Sequence, residues 1–422
     1  MARQIKDGKR TTAGRVKHIL TINCGSSSLK FALFRAPGAR TGGTREDPHC
    51  QYRGAVERIG ADSGLFHVTD GHDQPLARQT IALRDHAQAL HVALDWLEQR
   101  IGGRPPDVVG HRVVHGGSTY DHPVAINPDV IEALRRIAPL APLHMPIEIA
   151  AIETIRTRYP SLPQVACFDT AFHRTMPRIA QIFGLPRTIL DDGILRYGFH
   201  GLSYEYIVSA LEREAVQAGK SFAEHAGQRI VVAHLGNGAS MAAIRDGRSL
   251  DTTMGLTPIG GLVMSTRSGD LDPGVLLYLL DTKQMTAADV RRQVEQTGGL
   301  LGVSGSSSDM RDLLARTTQD SQAEEAVALF CYTAQKYLGA LVGVLGGIDT
   351  LVFTGGIGEH AAEARHRICG GFAFLGIQLD PARNAADAPI ISGENNSVTV
   401  RVIHTNEELM IARHTIHTLH VV

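Results

Sequence analysis

The sequence predicts an α/β protein made of two similar halves that face each other across a cleft. Apolar strand-like runs alternate with segments of helical periodicity, which argues for mixed sheets covered by helices. The segment RIVVAHLGNGASMAAIRDGR (229–248) repeats the design of HILTINCGSSSLKFALFRAPG (18–37): strand, Gly/Asn/Ser turn, strand, turn. The repeat sets Asn23 and Asn237 about half a chain apart, the spacing of an internal duplication. A length of 422 residues suits two or three domains of about 100–200 residues each.

The elements follow in chain order. Residues 1–18 carry Arg3, Lys6, Lys9, Arg10, Arg15 and Lys17 against Asp7 and have no apolar core, so they read as a disordered basic extension and not a secretory signal. HILTIN (18–23) and KFALF (30–34) flank a Gly/Ser turn and predict a hairpin. HAQALHVALDWLEQRI (86–101) has apolar residues at helical spacing. DVVGHRVVHGG (107–117) reads as a buried strand entering a Gly loop, and NPDVIEALRRIAPLAPLH (127–144) as a helix stopped by prolines. PQVACFD (163–169) is a further short apolar strand. MGLTPIGGLVMSTRSGD (254–270) is long, Gly-rich and weakly periodic, the mark of a functional or disordered loop. LVFTGGIGEHA (351–361) runs from a strand through a Gly turn into a helix, and GGSTYDHPV (116–124) and SGENNSVTV (392–400) read as polar loops.

Composition narrows the function. Lys and Arg number 42 against 43 Asp and Glu, which excludes a generally basic nucleic-acid binder. The five widely spaced cysteines form no CxxC pair and fit a reducing cytosol without disulfides or structural zinc. No apolar run approaches the ~18 residues of a membrane span, so no membrane partner is expected.

Several segments have the parts for phosphate chemistry. NCGSSSLK (23–30) lacks the Walker spacing, yet Gly25 allows close backbone approach, Ser26, Ser27 and Ser28 offer hydroxyls and Lys30 a point charge. HLGNGAS (234–240) is a second such turn, so a phosphate chain could be gripped from both sides. Arg112 in GHRVVHGG and Arg267 in STRSGDLDPG sit in apolar or Gly-rich settings, where a guanidinium is costly unless it meets an anion. His200 in RYGFHGLSY is a candidate donor to a phosphoryl or carbonyl oxygen. Asp169 ends a strand, the edge where open α/β sheets bind ligands. Glu407 and Glu408 in TNEEL open a helix, where carboxylates suit the dipole and could hold Mg²⁺. GIGEHA (356–361) with Asp380 downstream also matches a dinucleotide fingerprint, so an NAD-dependent oxidoreductase stands as a rival reading.

Taken in order, these segments resemble the acetate kinase family of the acetate and sugar kinase/Hsc70/actin superfamily. The resemblance rests on INCGSSSLKF (22–31), GHRVVHGG (110–117), LAPLH (140–144), CFDTAFH (167–173), RYGFHGLS (196–203), HLGNGAS (234–240), STRSGDLDPG (265–274), SGSSSDMRDL (304–313), FTGGIGEHA (353–361) and TNEEL (405–409). It implies two ribonuclease-H-like, actin-like ATPase domains with mixed sheets facing a central cleft. One would hold residues 19–170 plus 409–422, the other 171–408. It implies reversible, direct in-line phosphoryl transfer between ATP and acetate, giving ADP and acetyl phosphate, with Mg²⁺ or Mn²⁺, in a cytoplasmic homodimer.

The resemblance also assigns residues. Asn23 and Glu407 match metal positions. Lys30 matches an ATP-binding lysine, with Ser26 and Ser28 in the same turn. Arg112 matches the substrate carboxylate contact, Asp169 the active-site acid, and His200 and Arg267 the transition-state stabilisers. His234, Leu235, Gly236, Asn237 and Gly238 match one ATP loop, and Gly356, Ile357, Gly358, Glu359 and His360 a second. Asp309, Met310 and Arg311 match adenosine contacts. Val114, Leu143, Phe199 and Pro258 would form the acyl pocket. Acetate is already an anion near neutral pH, so Asp169 is expected to orient Arg112 or the metal more than to move a proton. The chain departs from the family at Ser118 and Gly260, where Glu is usual, and at Met145 and His360, where Asn is usual. A propionate or butyrate kinase, a pyrophosphate-linked variant and a non-catalytic nucleotide-binding regulator remain as alternatives.

Overall fold

A computed structural model describes residues 18–36 and 47–420. The basic extension expected over 1–18 lies outside the described residues except for His18. Among the described residues the strands are β1 (His18–Cys24), β2 (Ser28–Arg35), β3 (His49–Glu57), β4 (Gly64–Asp70), β5 (Pro75–Ile81), β6 (Val108–Val113), β7 (Val124–Ala125), β8 (Gln164–Phe168), β9 (Arg229–Leu235), β10 (Ala239–Arg245), β11 (Arg248–Thr252), β12 (Thr350–Thr354) and β13 (Thr399–Val402).

They form two sheets, ordered β5-β4-β3-β2-β1-β6-β8-β7 and β11-β10-β9-β12-β13. The expected duplication is visible as matching topology. In each sheet an antiparallel hairpin, β1/β2 or β9/β10, is extended by parallel strands, β6 and β8 or β12 and β13. Strand β8 is buried on both faces, which is why QVACF reads as one apolar run without alternation.

Helices cover both faces of each sheet. In the first, His86–Arg100 and Met145–Arg158 pack Leu90, Leu94, Leu97 and Ile155 against Leu20, Ile22, Phe31 and Val109. The other face receives the terminal helix Glu407–Thr418, whose Ile411, Ala412 and Ile416 meet Ile19, Val108 and Val165. Glycine at position 110 permits this approach, because a Cβ there would lie 2.2 Å from Thr415 Oγ1 and 2.6 Å from Ile411 Cγ2. The second sheet lies between Gly201–Gln217 and the long helix Ser321–Leu345. That long helix is long and apolar enough to cross a membrane, contrary to the expectation from the sequence. Its Ala323, Val327, Phe330, Leu338 and Leu341 are nevertheless packed in the core.

Some expectations shift. The helix predicted over 127–144 runs from Pro128 to Ile137, capped by Asn127, and stops where Pro139 withdraws a backbone donor. The tail of SGENNSVTV joins the sheet as β13. The 254–270 segment is irregular as expected, yet Met254, Leu262, Val263 and Met264 are buried. Ser265 N donates to Asn237 O at 3.2 Å and Met264 N to Arg267 O at 3.0 Å, fixing this loop against the turn after β9.

Candidate active site

The parallel strands β1, β6 and β8 deliver Asn23, Arg112 and Asp169 to neighbouring carboxyl ends. Arg112 donates from Nε to Asp169 Oδ2 at 2.9 Å and from Nη2 to the same oxygen at 2.5 Å. Its Nη1 donates to Asn23 Oδ1 at 3.3 Å, and Asn23 Nδ2 donates to Glu407 Oε2 at 3.2 Å. A guanidinium carries five N–H donors, so two remain for an anion. Burial alone would lower the Arg112 pKa, but Asp169, Glu407 and Glu148 hold it above its ordinary value. Asp169 is fully buried, and burial pushes its pKa up despite Arg112. Its Oδ1 has no hydrogen-bond partner among the described residues, which leaves one lone-pair face for a ligand.

Glu148 belongs to the same cluster, although no sequence motif singles it out. Its Oε2 accepts from Val114 N at 3.0 Å, and its Oε1 lies 4.0 Å from Arg112 Nη1. Burial raises its pKa to about 7. The signal was present in the helix Met145–Arg158, where Glu148 shares the buried stripe with Met145, Ile149, Ile152 and Ile155.

His200 holds a left-handed conformation, φ 58°, at the start of Gly201–Gln217. Its ring stacks on His234 with centroids 4.2 Å apart. His200 Nδ1 lies 2.9 Å from Ser240 Oγ, which lies 2.5 Å from Tyr204 OH. The order Tyr204 O–H to Ser240 Oγ, Ser240 O–H to His200 Nδ1 satisfies both hydroxyls and leaves Nε2–H for the cleft. Burial drives the His200 pKa well below its usual value, with His234, Arg112 and Arg267 adding to the effect. His234 Nδ1 meets Ser203 Oγ at 2.8 Å, and burial lowers its pKa to about 4. Sequence reasoning missed Ser203, Tyr204 and Ser240, which sit on helix and strand faces as ordinary core positions.

Arg267 enters from the 254–270 loop. Its Nη1 donates to Pro258 O at 2.7 Å. No carboxylate among the described residues hydrogen-bonds to it; burial followed by Arg112 brings its pKa down to about 10, with Glu295 opposing them through space. At Gly238 an added Cβ would lie 3.2 Å from His200 Nε2 and 3.4 Å from Arg267 Nη2. The glycine therefore keeps open the space between these two donors.

Beside Arg267 a cavity of about 20 Å³ is lined by Leu143, His144, Pro258, Ile259 and Glu295. Leu143 and Pro258 thus meet as expected. Val114 and Phe199 are buried without lining it. Burial, then Arg267 and Arg112, lower the His144 pKa to about 3, so the ring is neutral.

A larger cavity of about 680 Å³ opens at the carboxyl ends of β9 and β12. Lys30, His234, Gly236, Asn237, Asp309, Met310, Arg311, Gly356, Ile357, Glu359, His360 and Glu407 all line it. Ser26, Ser28, Leu235, Gly238 and Gly358 do not: Ser26 is exposed in its turn, and Leu235 is packed in the core. Asp309 caps its own helix by accepting from Arg311 N at 2.8 Å. Asp380, the acid of the dinucleotide reading, caps Pro381–Ala385 instead. GGIGEH itself forms the short helix Gly355–His360 and is followed by a separate helix, Ala362–Cys369, so the glycines do not form a turn that opens one long helix as the dinucleotide fingerprint requires. For a metal, Asn23 Oδ1, the unpartnered Asp169 Oδ1 and the Glu407 carboxylate supply hard oxygen donors that fit Mg²⁺.

Comparison with known proteins agrees with this geometry. The Acetokinase family model matches residues 18–413. The chain is 48% identical over 402 residues to a protein named acetate kinase from Rhodopseudomonas palustris, covering 94% of this chain and 97% of that one. It superposes on a crystal structure of Porphyromonas gingivalis acetate kinase with TM-score 0.80 and 36% identity, over 96% and 100% of the two chains. A propionate kinase structure from Francisella tularensis gives TM-score 0.84 and 34% identity, over 95% and 99%. With nearly its whole length matched and two actin-like mixed sheets around the cleft, the chain belongs to the acetokinase family.

Proposed function

We propose that this chain transfers the γ-phosphoryl group of ATP to a carboxylate oxygen of acetate, reversibly, in a direct in-line step. The observation that carries this reading is the pair Arg112 and Arg267 beside His200. Arg112 has two uncommitted N–H groups, Arg267 is hydrogen-bonded to no carboxylate among the described residues, and a Cβ at Gly238 would lie 3.2 Å from His200 Nε2 and 3.4 Å from Arg267 Nη2. Three such donors, close enough for each to feel the others' charge, suit the three equatorial oxygens of a transferring phosphoryl group.

Each residue has a separate task. Asp169 fixes the Arg112 fork and keeps it charged. Lys30 and the backbone of the two Gly turns face the nucleotide cavity and offset phosphate charge. His200 donates through Nε2 without changing protonation near pH 7, and the Tyr204–Ser240 chain holds its tautomer. Acetate arrives ionised, so no strong base is required. Asn23, Asp169 and Glu407 would hold Mg²⁺, which when bound neutralises phosphate charge. Relatives named acetate kinase at 45–48% identity, above a propionate kinase at 40%, favour acetate over a longer acid. One extra methylene is worth only ~1–3 kcal/mol of discrimination, so some propionate turnover is expected.

The two units, 19–170 with 409–422 and 171–408, would close on the cleft to exclude water. We further place a homodimer contact on the helix Pro273–Asp281, which has no buried residue and exposes Val275, Leu277 and Tyr278. Free, mostly buried thiols support a cytoplasmic setting.

The test is an acyl-hydroxamate assay with ATP, Mg²⁺ and acetate, propionate or butyrate, run with Arg112→Ala and Arg267→Ala. Acetate should give the largest kcat/KM, and each variant should lose on the order of 10²–10³-fold in kcat. A higher kcat/KM with a longer acid would move the substrate assignment. Full activity in either variant would remove that arginine from the mechanism.

A further inference from the structure

Glu359, His360 and His404 meet at the edge of the nucleotide cavity in a way that lining a cavity does not require. Glu359 and His360 end the helix Gly355–His360, and His404 follows β13. One donor atom from each lies within 4.8 Å of the other two. Glu359 is buried and both imidazoles are exposed.

The carboxylate is already oriented. Glu359 Oε1 accepts from Gly355 N at 2.9 Å, Thr405 N at 3.2 Å and Thr354 Oγ1 at 3.3 Å. That leaves Oε2 to the histidines, with His404 Nδ1 at 2.6 Å and His360 Nε2 at 4.0 Å. Behind His360, its Nδ1 faces Asp387 Oδ2 at 3.6 Å, and Asp387 Oδ1 accepts from the buried Arg365 at 2.5 Å. Arg365 also donates to Gly358 O at 2.9 Å and Glu359 O at 2.8 Å, tying the loop in place. A carboxylate behind an imidazole is the arrangement that orients a metal-ligating histidine and raises its basicity.

We propose that Glu359, His360 and His404 form a site for one divalent ion of the zinc class at the mouth of the nucleotide cavity. Two imidazole nitrogens and one carboxylate oxygen suit Zn²⁺, Ni²⁺ or Cu²⁺ and disfavour Mg²⁺. Bonds of ~2.0–2.1 Å in tetrahedral array set ligand atoms roughly 3.3 Å apart. The His404 contact must open from 2.6 Å and the His360 contact close from 4.0 Å, both within reach of exposed side chains. Three protein ligands leave a fourth position for water. The site is separate from the all-oxygen Asn23–Glu407 cluster and needs no nucleotide.

The test uses untagged, chelator-treated, nucleotide-free protein. Zn²⁺ is titrated calorimetrically, and Co²⁺ serves as a visible-band probe of tetrahedral coordination. One site per chain is expected, weakened about tenfold or more in His404→Ala and in His360→Asn. The Co²⁺ band should vanish in both variants, and millimolar Mg²⁺ should not displace Zn²⁺ from the wild type. The chain has 20 histidines, so weak background binding is expected in every sample. Equal Zn²⁺ affinity in wild type and both variants, absence of a tetrahedral Co²⁺ band in the wild type, or displacement by Mg²⁺ would each overturn the proposal.

Discussion

Glu148 shows how one buried side chain couples the site to stability. Its folded pKa of about 7 stands above the ordinary 4.5. Between those values the unfolded chain has lost a proton that the folded chain keeps. Stability from this group is therefore present below pH 4.5 and is lost as pH rises through about 7. The amide of Glu148→Gln keeps an acceptor for Val114 N and does not titrate. The stability of that variant relative to wild type should thus improve as pH rises from 5 to 7.5, by on the order of 2 kcal/mol at 1.36 kcal/mol per pKa unit. Urea unfolding at the two pH values measures this, and a difference independent of pH would refute the assignment. Nothing in the chain's motifs marks Glu148 as special. A charged residue on an apolar helical stripe is a visible anomaly, but its partner Arg112 lies on a different element and is found only in three dimensions.

At the level of elements, the active site depends on how closely the terminal helix lies on the first sheet. Glu407 reaches Asn23 because Glu407–Thr418 packs tightly over β6 at Gly110. Gly110→Ala drives a methyl group into Thr415 and Ile411, an overpacking change of about 1–3 kcal/mol. Denaturant unfolding should show that loss, together with a higher metal requirement in the kinetic assay as Glu407 is displaced. Unchanged stability would mean the helix can retreat freely. The TNEEL helix and its capped start were legible in sequence, since Asn406 and two acidic residues mark an N-terminus. Its docking on the opposite half of the chain was an expectation of the family resemblance, and periodicity alone could not supply it.

For the whole molecule, the exposed apolar helix Pro273–Asp281 is a cost in water unless another surface covers it. Leu277 is 59% exposed and Tyr278 51%. Leu277→Glu should shift the protein from dimer to monomer in sedimentation without unfolding it, because that side chain supports no core. A wild-type monomer at micromolar concentration would sink the dimer contact. The two sheets share one topology, and each brings the carboxyl ends of its parallel strands to the cleft. Lys30 of the first hairpin and Gly236 and Asn237 of the second line one cavity, although the first turn's Ser26 and Ser28 do not.

The α/β class, the duplicated hairpins, Lys30 and the Gly turns are readable from local signals, whereas Leu143, Pro258 and Asp309 to Arg311 are expectations of the family resemblance. Packing in three dimensions supplied what local signals cannot carry. It packed one face of the Ser321–Leu345 helix into the core, a helix that composition leaves ambiguous between core and membrane. It ended one helix at Ile137 and turned Asp309 and Asp380 into caps. It left Ser26, Ser28 and Leu235 off the cavity wall and buried Val114 and Phe199 in the core. Above all it joined Glu148 to Arg112 and His404 to Glu359, across 36 and 45 residues of chain respectively. Desolvation and long-range Coulomb terms depend on distances through space, and a linear sequence does not encode those distances one residue at a time.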